Sequence, residues 1–301
     1  MINKDDVVLI TGCGGMLGEG VYSLFKDSCR VFATDIDVNE DWLTYLDVSS
    51  HTEVNNFCEK ISPNYIINLA AKTDLEWCEE NVSETYNTNM WGSDYLMEQS
   101  RSRDIPYLYI GTAGIFDGKK DQYNERDIPN PLSTYGKAKY GGELCARAYN
   151  KSIVARAGWM IGGGPKKDKK FINKIIKQIK NGATELFVVN DKFGIPCYTY
   201  DFAKVIKHLL DNELYGLYHG VCEGVAGSRY DVAEHLLDVL GLKDKIKINI
   251  VDSDYFKSEY SAPRPLSEKM VNSMLKEKGI DITRDWRECL DEYMNKFDWG
   301  V

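Results

Sequence analysis

Asp6-Val7-Val8-Leu9-Ile10-Thr11 runs directly into Gly12-Cys13-Gly14-Gly15-Met16-Leu17-Gly18, and this join of an apolar, β-branched run to a glycine cluster decides the fold. The first six residues read as a short buried strand, the glycines as a tight turn, and the pattern from about 16 to 25 as an amphipathic helix. Glycines at such a join let a pyrophosphate approach the backbone N–H groups at the start of a helix. The spacing is G-x-x-G-x-x-G. Gly12, Gly15, Met16, Leu17 and Gly18 are therefore expected to hold a dinucleotide.

Working outward, further short apolar runs occur at 29–34, 65–69, 106–110 and 153–157, separated by helical patterns near 51–61, 81–101 and 134–149. Strands alternating with helices imply a parallel sheet with right-handed crossovers and helices on both faces, an α/β doubly wound fold of the Rossmann type. After Gly158 the rhythm changes. The stretch 161–180 opens with glycines and a proline, then reads as one basic amphipathic helix with seven lysines between 166 and 180. A strand near 185–190, a helix near 201–210 and a strand at 216–221 follow. Helices at 228–240 and 267–278 flank an apolar run at 248–252, and a last helix is expected at 285–296. This division predicts a dinucleotide-binding domain over 1–160 plus about 200–222, and a smaller C-terminal substrate-binding lobe over about 161–199 plus 223–301.

The chain has 301 residues, 43% hydrophobic and 28% charged, with a formal net charge of −9. No apolar run approaches the roughly 20 residues of a membrane span, and the net charge argues against broad nucleic-acid binding, though a local basic patch can still serve phosphates. The eight cysteines include no C-x-x-C, and no Cys/His spacing suits zinc. Reduced thiols, no metal and no membrane or nucleic-acid partner are expected. The opening residues pass straight into a strand pattern without a leader, which predicts a cytoplasmic protein, with a homodimer the candidate assembly.

Asp35 closes the second run, 17 residues after Gly18. A carboxylate there can accept both hydroxyls of an adenosine ribose and would repel a 2′-phosphate, which favours NAD(H) and leaves NADP(H) as the other candidate. A solvated strand-end acid is the alternative, with Asp37, Glu40 and Asp41 close by. Asp47 and Val48 are expected against the adenine, although a helix N-cap at Asp47 or Ser49 explains them as well. Ala70 and Ala71, which end the third run, are expected beside the cofactor. Tyr135 and Lys139 stand four residues apart, hence on one helix face, where an ammonium would lower the phenol pKa and make the ring a usable proton donor or acceptor. Thr112 ends the fourth run, at the side of the sheet that opens toward the cofactor crevice.

These residues resemble the extended short-chain dehydrogenases/reductases, and the resemblance covers nearly the whole chain. It is carried in order by TGCGGMLG, NLAAKTDLEWCEEN, IFDGKKDQYNERDIPNPLSTYGKAKYGGE, RAGWMIGGG, NDKFGIPCYTYDFA and SAPRPLSEKM. It implies that Thr112, Tyr135 and Lys139 form the catalytic triad and that Trp159 and Arg264 contact substrate; core packing and an interlobe salt bridge are the respective alternatives. It also implies NAD(P)H-dependent reduction of a nucleotide-linked 4-keto-6-deoxy sugar. A nucleotide-sugar epimerase using tightly held NAD and a cofactor-binding regulatory subunit without catalysis are the rivals. One departure stands out. Where the family's nucleotide-sugar reductases commonly have Ser-Thr-Asp-Tyr, this chain reads Gly111-Thr112-Ala113-Gly114. The loss of an acid and a ring implies a wider sugar site and a changed substrate, and it removes the acidic pair that sugar 4,6-dehydratases need.

Overall fold

The computed structural model describes residues 2–301. Six strands, β1 (Val7–Thr11), β2 (Arg30–Asp35), β3 (Leu43–Tyr45), β4 (Tyr65–Asn68), β5 (Tyr107–Thr112) and β6 (Ser152–Ala157), join Gly216–His219 in one seven-stranded sheet. The order is Gly216–His219, β6, β5, β4, β1, β2, β3, and every pairing is parallel. Side chains of β1 alternate between the two faces. Val8 and Ile10 pack with Val21, Phe25 and Phe202, whereas Leu9 packs with Val54, Leu96 and Tyr109 on the other side. Both faces are covered, which is why the run is apolar without a polar alternation.

From β1 the chain steps to β2 and β3 on one side, then returns to β4, β5 and β6 on the other. The order reverses between β1 and β4, and a doubly wound sheet opens its ligand crevice there, at the carboxyl ends of the strands. The first helix starts at Gly18, not near Met16, because Gly15 to Gly18 form a turn in which the Gly18 N–H donates to Gly15 O at 3.2 Å.

Three other expectations need correction. The helix near 81–101 is interrupted: Val82–Tyr86 and Gly92–Ser102 flank a π-helical turn at Asn87–Trp91. Within that turn Asn89 accepts the Lys72 N–H at 2.7 Å and donates to Lys72 O at 3.0 Å, tying the loop after β4 to the helix. The lysine-rich stretch is two helices, Gly164–Lys167 and Phe171–Lys180. They break at Asp168, whose carboxylate accepts the Lys170 N–H at 2.7 Å and the Tyr293 hydroxyl at 3.0 Å. Residues 267–278 are not one helix. Ser267–Glu268 pairs with Phe193–Gly194, Met270 bridges to Tyr123, and only Ser273–Glu277 is helical. Between them the buried Asn272 side chain accepts from Val221 N at 3.0 Å and donates to Val221 O at 2.8 Å, a pairing a continuous helix would forgo.

A separate hydrophobic cluster joins Ile172, Ile175 and Ile176 to Leu236, Trp286 and Tyr293, and reaches Ile115, Phe116 and Trp159 beside the crevice. All eight cysteines are free. Among the described residues no helix is long and apolar enough to cross a membrane.

Candidate active site

A cleft of about 1800 Å³ lies between the carboxyl ends of β1, β2, β4 and β5 and the elements that follow β6. Its volume exceeds the roughly 300–1,000 Å³ of a single small-ligand pocket, so it can take two ligands side by side.

At one end stands the glycine turn. Gly12 has φ +69°, and a Cβ there would lie 2.3 Å from Ala70 N, so only glycine lets the ends of β1 and β4 come together. Gly15 borders the cleft, while Gly18 faces away from it. A Cβ on Gly18 would fall 1.7 Å from Cys13 O, so its role is close packing of helix on turn. Leu17 caps the helix without a side-chain hydrogen bond, and among the described residues no acceptor takes the Met16 or Leu17 N–H. Free amides at a helix start, bordering a cleft, suit a pyrophosphate.

The Asp35 carboxylate sits beside this turn. It accepts the Gly14 N–H and the Asp37 N–H, both at 2.9 Å. Asp47 and Val48 line the same end of the cleft. Asp47 accepts from Ser49 N at 2.9 Å and from Ser49 Oγ at 2.7 Å, but it does not cap a helix. The cap of His51–Ile61 is Ser50, one residue beyond Ser49 and three beyond Asp47. Ala70 and Ala71 line the cleft floor after β4.

Tyr135 and Lys139 lie on the helix Thr134–Arg147. Its start is doubly fixed. Ser133 accepts the Gly136 N–H at 3.1 Å as the cap, and Glu79 accepts the Thr134 N–H at 2.7 Å and the Thr134 hydroxyl at 2.8 Å. The Tyr135 ring and Thr112 Oγ1 border one gap, each 3.5 Å from a Cβ built on Gly114. That Thr112 oxygen also accepts the Gly114 N–H at 3.1 Å, which leaves its own hydrogen to turn toward the cleft. Lys139 is buried, with Nζ 4.1 Å from the centroid of the Tyr109 ring.

The proton chemistry differs from expectation. Burial pushes the Tyr135 phenol up to about 12, against the lowering effect of Thr112. Burial also brings Lys139 down to about 7, against the raising effect of Glu143. The lysine does not lower the phenol here, and Tyr135 is held in the protonated form that an acid requires.

Ala113 and Gly114 are not equivalent. Ala113 is buried in the hydrophobic cluster with Ile115 and Phe116, away from the cleft. Gly114 alone faces it: a Cβ there would stand 3.5 Å from both Thr112 Oγ1 and Tyr135 Cε1. Of the two positions expected on the sugar-facing wall, only Gly114 borders the cleft.

Trp159 belongs to the core and to the cleft at once. It is 8% exposed, its indole N–H donates to Glu268 Oε2 at 2.7 Å, and the Arg229 guanidinium lies 3.6 Å from a ring centroid. Arg264 also borders the cleft, but its guanidinium is engaged by Glu76, with Nη1–Oε1 2.8 Å and Nη2–Oε2 2.9 Å. Arg229 and Glu268 escaped the sequence reading because each meets Trp159 from a distant part of the chain. Lys170 and Lys174 border the middle of the cleft. Lys170 donates to Thr73 O at 2.9 Å and Lys174 to the Tyr260 hydroxyl at 3.0 Å, so the basic stretch is in part a cleft wall.

The sheet order, the glycine turn and the Tyr135/Lys139 helix beside Thr112 define an extended short-chain dehydrogenase/reductase. More narrowly, residues 6–299 match the family described as RmlD substrate binding domain, and the chain belongs to that family. A dTDP-4-dehydrorhamnose reductase of Aggregatibacter actinomycetemcomitans is 34% identical over 239 residues, covering 77% of this chain and 78% of the relative. The crystal structure of a dTDP-4-dehydrorhamnose reductase from Clostridium acetobutylicum superimposes with a TM-score of 0.87 at 33% identity, over 96% of this chain and 99% of the other. The dTDP-4-dehydrorhamnose reductase of Bacillus anthracis, in complex with NADP, gives 0.88 at 26% identity, over 97% and 100%.

Proposed function

We propose that this protein is an NAD(P)H-dependent reductase of a nucleotide-linked 4-keto-6-deoxy sugar, similar in activity to dTDP-4-dehydrorhamnose reductase and acting in the cytoplasm. The observation that carries the reading is the Tyr135 phenol, kept protonated beside Thr112 on the wall of a cleft large enough for two ligands. The glycine turn fits a dinucleotide by its free Met16 and Leu17 amides and by the space in front of Gly15. When bound, the nicotinamide supplies the hydride.

The chain's own residues do the rest. Tyr135 gives its phenolic proton to the carbonyl oxygen as the carbon accepts hydride, and the Thr112 hydroxyl, free to turn, holds that oxygen in line. Lys139 fixes the ribose next to the nicotinamide, and the Thr112 hydroxyl stabilises the phenolate left after proton transfer. Trp159 packs against the sugar, and Arg264, with Glu76, shapes the wall beside it. On this reading the segments 1–160 and about 200–222 hold the cofactor, and about 161–199 and 223–301 hold the nucleotide-sugar.

We also propose that NADH is preferred to NADPH. Asp35, Asp47 and Val48 border the adenosine end of the cleft, and a 2′-phosphate beside the Asp35 carboxylate would meet like charge. Incubating the protein with a panel of nucleotide-linked keto-sugars and either cofactor, followed by mass spectrometry, tests the function. The expected product is a sugar that has gained one hydride and one proton, whereas inversion of a sugar centre without net cofactor oxidation would identify an epimerase.

A further inference from the structure

The Glu268 carboxylate is used on one side only. Oε2 accepts the Trp159 indole N–H at 2.7 Å. Among the described residues Oε1 has no hydrogen-bond donor, and no cation lies within 4 Å of the carboxylate. The neighbouring basic groups are engaged elsewhere: Arg264 with Glu76, Lys269 with Asp121, and Arg229 stacked on Trp159. Glu268 lines the cleft, so its free oxygen is open to a ligand.

Gly114 fixes where that oxygen points. A Cβ built on Gly114 would lie 3.8 Å from Glu268 Oε1 and 3.5 Å from both Thr112 Oγ1 and Tyr135 Cε1. Glu268 Oε1 and the Thr112/Tyr135 pair thus border one gap, kept open because residue 114 has no side chain. A sugar whose carbonyl oxygen is held by Tyr135 and Thr112 presents the substituent on the adjoining carbon to Glu268. An ionised carboxylate has only acceptors to offer, so the matching group is a hydroxyl. The positive charge of Arg229, stacked on the same indole that Glu268 holds, disfavours an ammonium at that place.

We propose that Glu268 is a specificity-determining residue that accepts a hydrogen bond from the hydroxyl next to the reacting carbonyl, and that the substrate class is a nucleotide-linked keto-sugar with that hydroxyl free. The inference rests on the reductase reading above and deepens it. A hydrogen bond to a charged partner is worth about 1.5–3 kcal/mol, which corresponds to roughly 10- to 150-fold in kcat/KM.

The test compares dTDP-4-dehydrorhamnose with its analogue lacking the hydroxyl beside the carbonyl, in the wild type and in Glu268→Ala. The wild type is expected to prefer the hydroxylated sugar by about tenfold or more, and Glu268→Ala to reduce that ratio to within about threefold. An unchanged ratio, whether or not both rates fall, shows that Glu268 only props Trp159 and overturns the proposal. If Glu268→Ala does not fold, Glu268→Gln retains an acceptor for the indole, and its ratio must narrow by at least about threefold, since neutral hydrogen bonds are roughly half as strong as charged ones. Calorimetric binding of both sugars to the wild type separates the two claims. Discrimination in binding without turnover supports the hydrogen bond and overturns the reductase reading, whereas equal binding, or none, overturns the hydrogen bond.

Discussion

Arg156 on β6 and Glu143 on the helix Thr134–Arg147 form a fully buried ion pair, with Nη2–Oε1 2.6 Å and Nε–Oε2 2.9 Å. Arg156 pairs in register with Gly111, the residue before Thr112, and Glu143 stands one turn beyond Lys139. The pair therefore ties the helix carrying the phenol to the strand end carrying the threonine. Glu143→Ala should destabilise the protein by about 3–5 kcal/mol, because it leaves a buried guanidinium without its counter-charge. Denaturant titration measures this. A loss below about 1 kcal/mol would show that Arg156 finds another partner.

The same guanidinium stands 3.2 Å from His219 Nε2, and burial, with the Arg156 charge added, lowers the His219 pKa to about 3. The unfolded chain then binds the extra proton between about pH 3 and 6.5. Its contribution to stability is complete above 6.5 and is lost as pH falls toward 3. Thermal melts from pH 7 to 4 should show His219→Gln losing less stability than the wild type over that window, and parallel curves would contradict the assignment.

Lys139 has the same consequence in a higher pH window. Its pKa falls from 10.5 to about 7 on burial, so between about pH 7 and 10.5 the unfolded chain binds more protons and stability contributed by this group rises with pH. The melting temperature of the wild type minus that of Lys139→Met should therefore increase from pH 7 to pH 9.5. A difference independent of pH would mean that the buried amine titrates normally.

Much of this site is legible in the sequence because the decisive contacts are local. Gly12 to Gly18 form one turn, Tyr135 and Lys139 share one helix face, and Asp35 and Thr112 end strands whose apolar runs are unmistakable. What stays hidden is held by long-range contacts. Trp159 and Glu268 meet across 109 residues, and Glu76 and Arg264 across 188. The stretch 267–278 carries Met270 and Met274 at helical spacing, yet strand pairing to Phe193–Gly194 and the buried Asn272 override it. Likewise nothing in the order Thr112-Ala113-Gly114 tells that a short 3-10 turn buries Ala113 and aims only position 114 at the cleft.

The proposed cofactor preference is testable at Asp35. NADH should bind more tightly than NADPH, and Asp35→Ala should narrow the difference by about tenfold, the effect of roughly 1.4 kcal/mol of relieved like-charge repulsion. Fluorescence titration with both cofactors measures it. Equal or tighter NADPH binding in the wild type would contradict this and point to Lys166 and Lys167, which also line the cleft, as partners for the extra phosphate.

Position 114 should govern access to the catalytic pair. Gly114→Val puts methyl groups where a bare Cβ already stands 3.5 Å from Thr112 Oγ1 and Tyr135 Cε1, so kcat/KM should fall about a hundredfold while cofactor affinity holds. Steady-state kinetics alongside the titration decide this, and unimpaired turnover would move the reacting carbonyl elsewhere in the cleft.

On the proposed mechanism Tyr135 protonates a keto-sugar as it is reduced. The most direct measurement is the stoichiometry and rate of NADH oxidation with a nucleotide-linked 4-keto-6-deoxy sugar, in the wild type and in Tyr135→Phe. One NADH should be consumed for each sugar alcohol formed, with kcat lower by about 10²- to 10⁴-fold in the variant and cofactor binding preserved. Sugar conversion without net NADH oxidation, or a variant that turns over as fast as the wild type, would contradict it.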